Sequence, residues 1–297
     1  MSRQAMHEPR MRVLSLGAGV QSTTLILMAA RGEFDSRPDV AIFADTGWEP
    51  KRVYEHLAWL EREVGGVIPI LRVSAGNIRE DSLRSKDGKH RFAALPFFVK
   101  SPTGAAEGRL RRQCTREYKI EPITRKIREL LGLQPGERMT GRVEQWFGIS
   151  ADEIYRVKDN RYPWIDNRYP LIERGMTRQD CLDWLSAHGY PTPPRSSCIG
   201  CPYHDDAYWL DMRENHPEEW ADACDYDEQI RTGLKGVLQE AYLHRMLIPL
   251  RDVPLTPEEK HEYRKRLLDD AGQLHLWDAL ETMESSFDEE CEGMCGV

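Results

Sequence analysis

Short apolar runs alternate with segments of helical spacing along the first hundred residues, and this alternation restricts the possible folds severely. "RMRVLSLGAGVQSTTLILMAARGEF" reads as a strand, a glycine-bearing turn and a helix in which Leu25, Met28 and Ala29 share a face. "DVAIFADTG" forms a second run that stops at Asp45-Thr46-Gly47. It is followed by "PKRVYEHLAWLEREVGG", where Val53, Leu57 and Leu60 recur at helical spacing and two glycines end the run. "VIPILRVS" gives a third strand. Strands that alternate with helices predict a parallel α/β sheet, Rossmann-like and flanked by helices, with functional loops beyond the carboxyl ends of the strands.

Further along, residues 76–118 are irregular, polar and glycine-containing, which predicts a long loop or lid. "KIEPITRKIRELLGL" resumes a helix, and "RVEQWFGISADEIYRV" gives a strand and a turn. Thr177 and Asp180 stand in capping-box positions ahead of apolar Leu182 and Leu185, and Gly189 stops that helix. The remainder reads as mainly helical. It includes "TPEEKHEYRKRLLDD", which opens on a threonine cap and a proline at the first helical position. The expected organisation is a nucleotide-binding α/β domain over 11–175, a mainly helical region over 176–285 that carries a cysteine pair, and a cysteine-containing tail over 286–297.

At 297 residues the chain is long enough for one large domain or two modest ones. No stretch approaches the roughly 20 apolar residues that a membrane span needs, and the first residues lack the apolar core of a secretion signal, so the expectation is a cytoplasmic protein without a membrane. Seven cysteines, an odd number, do not suit a disulfide framework in such a compartment, and clustered ones point to metal binding or sulfur chemistry. The net charge of −8 excludes a generally basic surface. Yet residues 109–128 hold eight basic and two acidic side chains. A cationic island of this kind suits phosphate, sulfate or a nucleic-acid backbone, and Arg111, Arg112 and Arg116 are its candidate contacts. Arg125 to Arg128 read as ordinary helix surface.

Between the first strand and helix, "SLGAGVQSTT" places glycines and hydroxyl side chains where backbone N–H groups and the helix dipole favour an anion. It is neither a Walker A loop nor a full dinucleotide fingerprint. "CIGCP" holds Cys198 and Cys201, which suit half of an iron–sulfur site, part of a zinc site completed by Cys114 and His204, or a redox or structural pair. Cys181 and Cys224 read as small core residues. The tail "SSFDEECEGMCGV" carries two further thiols, Cys291 and Cys295.

These segments together resemble the adenine nucleotide α-hydrolase (PP-loop) superfamily, and in particular its branch of phosphoadenosine phosphosulfate reductase-like proteins. "GAGVQST" resembles the pyrophosphate loop Ser-Gly-Gly-x-Asp-Ser, with Gly17 at the first serine and Gln21 at the aspartate, and "ADTGWEP" resembles the Asp-Thr-Gly segment. The resemblance implies an ATP or other adenine-nucleotide site formed by Ser15, Gly17, Gly19, Ser22, Thr23, Asp45, Thr46 and Gly47, with Gln21 at a catalytic position. "LRRQCTREYKIEPI" resembles the reductases' Cys-Cys-x-x-Arg-Lys-x-x-Pro, with Thr115 at the second cysteine and Lys119 and Pro122 at the lysine and proline. This places Arg111, Arg112, Arg116 and Lys119 near the nucleotide. It leaves Cys114, Cys198 and Cys201 as ligands of a [4Fe-4S] cluster with one open iron, zinc being the alternative. The tail is similar to a reductase Glu-Cys-Gly terminus, which makes Cys291 and Cys295 candidate nucleophiles. "DNRYPWIDNRYPLIERGMTRQD" resembles the family's Tyr-Pro-Leu segment, with Arg161 and Arg168 as phosphate contacts.

The resemblance implies a sulfur transferase that adenylates a nucleobase, a nucleic acid or a small acceptor and inserts sulfur supplied by a donor such as a cysteine desulfurase. The alternatives are a sulfonucleotide reductase served by a thioredoxin-like reductant, and a non-catalytic nucleotide-binding module.

Overall fold

The computed structural model describes residues 8–90, 95–100 and 106–271. In chain order the elements are β1 (Met11–Leu16), α1 (Val20–Ala30), β2 (Val40–Asp45), α2 (Lys51–Val64), β3 (Ile70–Ser74), α3 (Ile78–Arg84), β4 (Phe98–Lys100), β5 (Ala106–Arg109), α4 (Glu121–Leu130), β6 (Val143–Phe147), β7 (Ile165–Arg168), α5 (Pro170–Glu173), α6 (Arg178–Ala187), α7 (Asp206–Asn215), α8 (Pro217–Ile230), β8 (Glu240–Tyr242) and α9 (Pro257–Ala271). A π-helical turn, Thr115–Ile120, leads into α4, and a 3-10 segment, Ala151–Arg156, follows β6. Two compact units divide the described chain and interleave along it: one takes 8–77 and 115–197, the other 78–114 and 198–271.

The first unit is built on a five-stranded, all-parallel sheet in the order β3-β2-β1-β6-β7. Strand alternation sends Leu14, Leu16, Ala41, Phe43 and Trp146 to one face, where they pack with buried residues of α1, α2 and α6. It sends Val13, Val40, Ile42, Ala44 and Val143 to the other face, against Ile123 and Ile127 of α4. Both faces are thus covered, which is why these strands read as nearly continuous apolar runs. Helix α1 departs from the amphipathic expectation. Every residue from Val20 to Ala29 is buried, so the whole helix is core. Its hydroxyls are satisfied internally: Thr24 donates to the Val20 carbonyl at 2.9 Å, and Thr23 shares a 3.0 Å hydrogen bond with His56 Nε2.

Burial lowers the pKa of His56 from 6.5 to about 4. An imidazole that resists protonation in the fold contributes stability that is present above pH 6.5 and is lost as pH falls through about 4. The loss amounts to about 3 kcal/mol. Chemical denaturation between pH 7 and 4 is expected to show this decline in the parent protein and a flatter profile in His56→Gln.

The capping box of α6 forms as read. Asp180 N–H donates to the Thr177 hydroxyl at 3.2 Å, and Thr177 N–H donates to the Asp180 carboxylate at 2.8 Å. Helix α9 likewise starts on Thr256, whose hydroxyl accepts from Glu259 N–H at 3.2 Å. The long loop expected over 76–118 is corrected: α3, β4 and β5 lie within it. Each is short and polar, and β4 finds its partners at β5 and at distant β8, so no local periodicity marked them.

In the second unit α7 and α8 bury Trp209, Met212, Tyr226 and Ile230. Asp227, at 0% exposure, accepts from the N–H groups of Leu243 and Leu250 at 2.8 and 3.0 Å and from Arg231 at 2.5 Å. One buried carboxylate therefore ties three separate chain segments together.

Candidate functional site

In an open parallel sheet the ligand position lies beyond the carboxyl ends of the strands where strand order reverses, here between β1 and β6. Residues 17–19 leave β1 at that point. Ala18 adopts φ +60°, a left-handed conformation that costs a side-chain-bearing residue on the order of 1 kcal/mol. Gly19 then caps α1 without any side-chain bond, and the first turn of α1 contains no acidic residue. The positive end of a buried eleven-residue helix is thereby left for an anion. Ser196, two residues ahead of Cys198 in the sequence, donates its hydroxyl hydrogen bond to the Gly17 carbonyl.

The strand on the other side of the reversal completes this corner. Gly148 follows β6, and a Cβ placed on it would lie 2.7 Å from both N and Cα of Ser22. Only glycine permits so close an approach to the first turn of α1. Gln21, in that turn, donates from Nε2 to Glu153 at 3.2 Å and lies 3.5 Å from the Ser150 hydroxyl, while its Oε1 accepts from Arg178 at 3.2 Å. Arg156 Nη1 donates to the other oxygen of Glu153 at 2.5 Å. The Arg156 side chain is 4% exposed, yet its Nε and Nη2 have no hydrogen-bond partner among the described residues. Buried guanidinium N–H groups are rarely left unbonded, and a planar fork suits an oxyanion. Burial raises the Glu153 pKa, against the lowering influence of Arg156. Glu153, Arg156 and Arg178 were not among the sequence candidates. The signal for Glu153 and Arg156 was a run of charged residues directly after β6 and Gly148, whereas Arg178 opens α6 behind the Thr177 cap.

Several predicted residues do gather at the neighbouring strand end. Asp45 Oδ1 accepts from Gly47 N–H at 2.7 Å and from the Tyr54 hydroxyl at 2.8 Å, closing a tight turn. Gly47 sits at φ +73°, and a Cβ there would meet Asn77 Cα at 2.9 Å. Thr46 donates to Glu49 at 3.0 Å, and Lys119 lies 3.8 Å from the same carboxylate oxygen, both partners being buried. Burial raises the Tyr54 pKa above its usual value.

Other predicted residues are placed differently. The Ser15 hydroxyl points to the α4 face of the sheet and accepts from Gln145 Nε2 at 2.6 Å. The Thr23 hydroxyl is taken by His56, and Ser22 donates to the Gly19 carbonyl at 3.3 Å. Arg116 is exposed and pairs with Glu121 at 2.7 Å. Arg168 pairs with Glu173 and lies over the Trp146 ring at 4.7 Å, so it serves packing. The basic stretch is shared out: Arg111 and Arg112 belong to the second unit, Arg116 and Lys119 to the first.

Cys114, Cys198 and Cys201 all belong to the second unit, and all are half-buried and outside any disulfide. Cys198 and Cys201 form a knuckle in which Cys201 N–H donates to the Cys198 carbonyl at 3.1 Å. His204 Nε2 bonds the carbonyls of Cys198 at 2.9 Å and Ile199 at 3.1 Å, so this nitrogen buttresses the knuckle. Burial raises the pKa of the Tyr226 phenol, and Cys198 and Cys114 act weakly in the same direction. Guanidinium groups of Arg109 and Arg112 lie 4.9 and 5.1 Å from the Tyr203 ring. Among the described residues no three His, Cys, Asp or Glu side chains are gathered closely enough to hold a metal ion. Cys291 and Cys295 lie outside the described residues.

Cys181 and Cys224 are core residues, as read, and burial pushes both thiols up to about 12. Native protein under reducing conditions is expected to alkylate at Cys114, Cys198 and Cys201 well before Cys181 and Cys224. Peptide mass mapping after a short iodoacetamide pulse checks this order.

Among the described residues no helix is long and apolar enough to cross a membrane. No protein-family model and no curated protein matches the chain. Among solved structures it is similar to the crystal structure of phosphoadenylyl-sulfate (PAPS) reductase from Candida auris in its phosphate complex, at 12% identity and a TM-score of 0.35, over 61% of this chain and 74% of that one.

Proposed function

We propose that the protein is an adenine-nucleotide-dependent sulfur-transfer enzyme. The observation that carries the nucleotide part is Arg156: two nitrogens of a buried guanidinium without a hydrogen-bond partner among the described residues, linked through Glu153 to Gln21 in the first turn of α1. A phosphate or sulfate oxyanion supplies the acceptors that such donors lack, and the helix end adds favourable charge. Arg178 and Glu153 hold the Gln21 amide in one orientation, and Gly148 holds the first turn of α1 against the end of β6.

The sulfur part rests on the cysteines. A Cys-x-x-Cys knuckle with a third half-buried thiol in the same unit has the donor chemistry that iron–sulfur centres select. Cys114, Cys198 and Cys201 would hold a [4Fe-4S] cluster, which when bound supplies an iron with an open position for sulfur. In the transfer reaction the acceptor oxygen attacks the α-phosphorus of ATP and pyrophosphate leaves. Sulfide then attacks the activated carbon, and AMP departs with the former acceptor oxygen. The task of this chain's residues is to hold the phosphates at α1 and Arg156 while charge builds on the leaving pyrophosphate.

A second reading, a sulfonucleotide reductase that uses Cys291 as nucleophile, is favoured by the folded Asp45-Thr46-Gly47 turn with its glycine-dependent contact to Asn77. Anaerobically purified protein is expected to contain iron and acid-labile sulfide, lost on replacing any one of Cys114, Cys198 or Cys201 by serine. Pyrophosphate release from ATP with an acceptor supports transfer, and sulfite release from adenylyl sulfate supports reduction. Colourless protein with stoichiometric zinc overturns the cluster assignment.

A further inference from the structure

The segment that follows α6 is pinned within the first unit at two points before the chain reaches Cys198. Tyr190 packs against the core cluster that α1 and α6 share, and its N–H donates to the Leu185 carbonyl at 3.0 Å. Ser196, buried like its neighbour Ser197, donates its hydroxyl hydrogen bond to the Gly17 carbonyl. The Ser196 Cβ also lies 3.7 Å from where a Cβ on Gly19 would stand, so the side chain rests on the anion loop itself. Between the two points Pro191, Pro193 and Pro194 fix their own φ angles and restrict the residues before them. A displacement at Ser196 is therefore poorly absorbed back toward α6. It passes forward to Cys198, two residues on.

The Gly17 carbonyl shares one planar trans peptide unit with the Ala18 N–H, and such a unit aims the two groups in opposite directions. A hydroxyl held on the oxygen thus sets the direction of the N–H, at a residue whose φ of +60° already lies in the left-handed region. An oxyanion that accepts from this N–H polarises the same peptide and strengthens the hydrogen bond at its oxygen.

From this arrangement we infer that Ser196 is a positioning residue, which couples oxyanion binding at residues 17–19 to the order of the Cys198 segment. The inference rests on the nucleotide part of the proposed function and adds a residue to it. When the loop fills, the Ser196 bond strengthens and residues 195–199 open to solvent less often. Order in the Cys198 segment then follows nucleotide binding, the sequence of events a transfer reaction needs if sulfur is to meet an activated acceptor.

Hydrogen exchange of the full chain with and without saturating ATP or adenylyl sulfate tests this in the parent, in Ser196→Ala and in Ser196→Thr. In the parent, nucleotide is expected to slow exchange at residues 17–23 and also, about fivefold, at 195–199, the scale of one hydrogen bond. In Ser196→Ala the protection at 17–23 is expected to persist and that at 195–199 to disappear, with an unchanged circular dichroism spectrum and unchanged exchange in α6. Ser196→Thr keeps a hydroxyl and is expected to retain both effects. A merely structural contact would alter exchange at 195–199 equally with and without nucleotide, and that result overturns the inference. Protection of 17–23 alone in the parent, an undiminished nucleotide effect at 195–199 in Ser196→Ala, or its loss in Ser196→Thr overturns the inference and leaves the nucleotide reading standing. No protection of either segment in the parent overturns both.

Discussion

Gly148→Ala is expected to weaken both the fold and nucleotide binding. The added methyl group would meet backbone atoms of Ser22 at 2.7 Å, and backbone at the start of a fully buried helix cannot swing aside as a long side chain can. Overpacking of this kind destabilises by about 1–3 kcal/mol. If the strain is relieved, it is relieved by moving the first turn of α1, and with it the N–H groups and Gln21 that face the anion. Affinity for ATP or adenylyl sulfate should then fall at least about tenfold. Thermal unfolding and calorimetric titration check the two effects together, and a Gly148→Ala variant with parental Tm and affinity would show that β6 does not brace the helix.

Arg156→Met is expected to weaken the fold by a comparable amount and to remove oxyanion donors as well. It leaves Glu153 in a part-buried site without its partner, a loss of about 2 kcal/mol, less than for a fully buried pair because solvent reaches the carboxylate. The direction with pH follows from the Glu153 pKa, which is already raised by burial and loses the lowering influence of Arg156 in the variant. A carboxyl whose folded pKa is raised contributes stability that is present in acid and lost as pH rises through that value. The variant's deficit should therefore be largest at neutral pH and shrink in acid, as denaturation at pH 4 and 7 will show. Arg156→Lys separates folding from binding. It restores a charge beside Glu153, and so most of the stability, but not the planar fork, and so little of the oxyanion affinity.

The sheet was legible because its strands and helices carry their own periodicities. Leu14 and Leu16 alternate with Val13 and Ser15, and Val53, Leu57 and Leu60 recur on one face of α2. The same alternation held information that the loop reading of Ser15 did not use. A residue two after Val13 shares its face, and this puts Ser15 beneath α4 beside Gln145. The elements within 78–114 were hidden because β4 is three residues long and is stabilised by partners from distant parts of the chain. Interleaving of the two units was hidden for a related reason: which segments pack together is a property of long-range contacts.

At the candidate site, the glycines and the Asp45 turn were legible from local chemistry. The Gln21–Glu153–Arg156 chain was not, because Gln21 and Glu153 are 132 residues apart and meet only where strand order reverses. Thr23 shows the opposite case. It looked like a loop hydroxyl and is instead bonded to His56 in the core.

The most direct test of the oxyanion site is hydrogen exchange of the full chain with and without saturating ATP or adenylyl sulfate, in the parent and in Arg156→Lys. Nucleotide addition is expected to slow exchange of the amides of residues 17–23 in the parent, with most of that protection lost in the variant. Nucleotide binding that leaves those amides unchanged, or equal protection in the variant, would contradict the assignment of the oxyanion to α1 and Arg156.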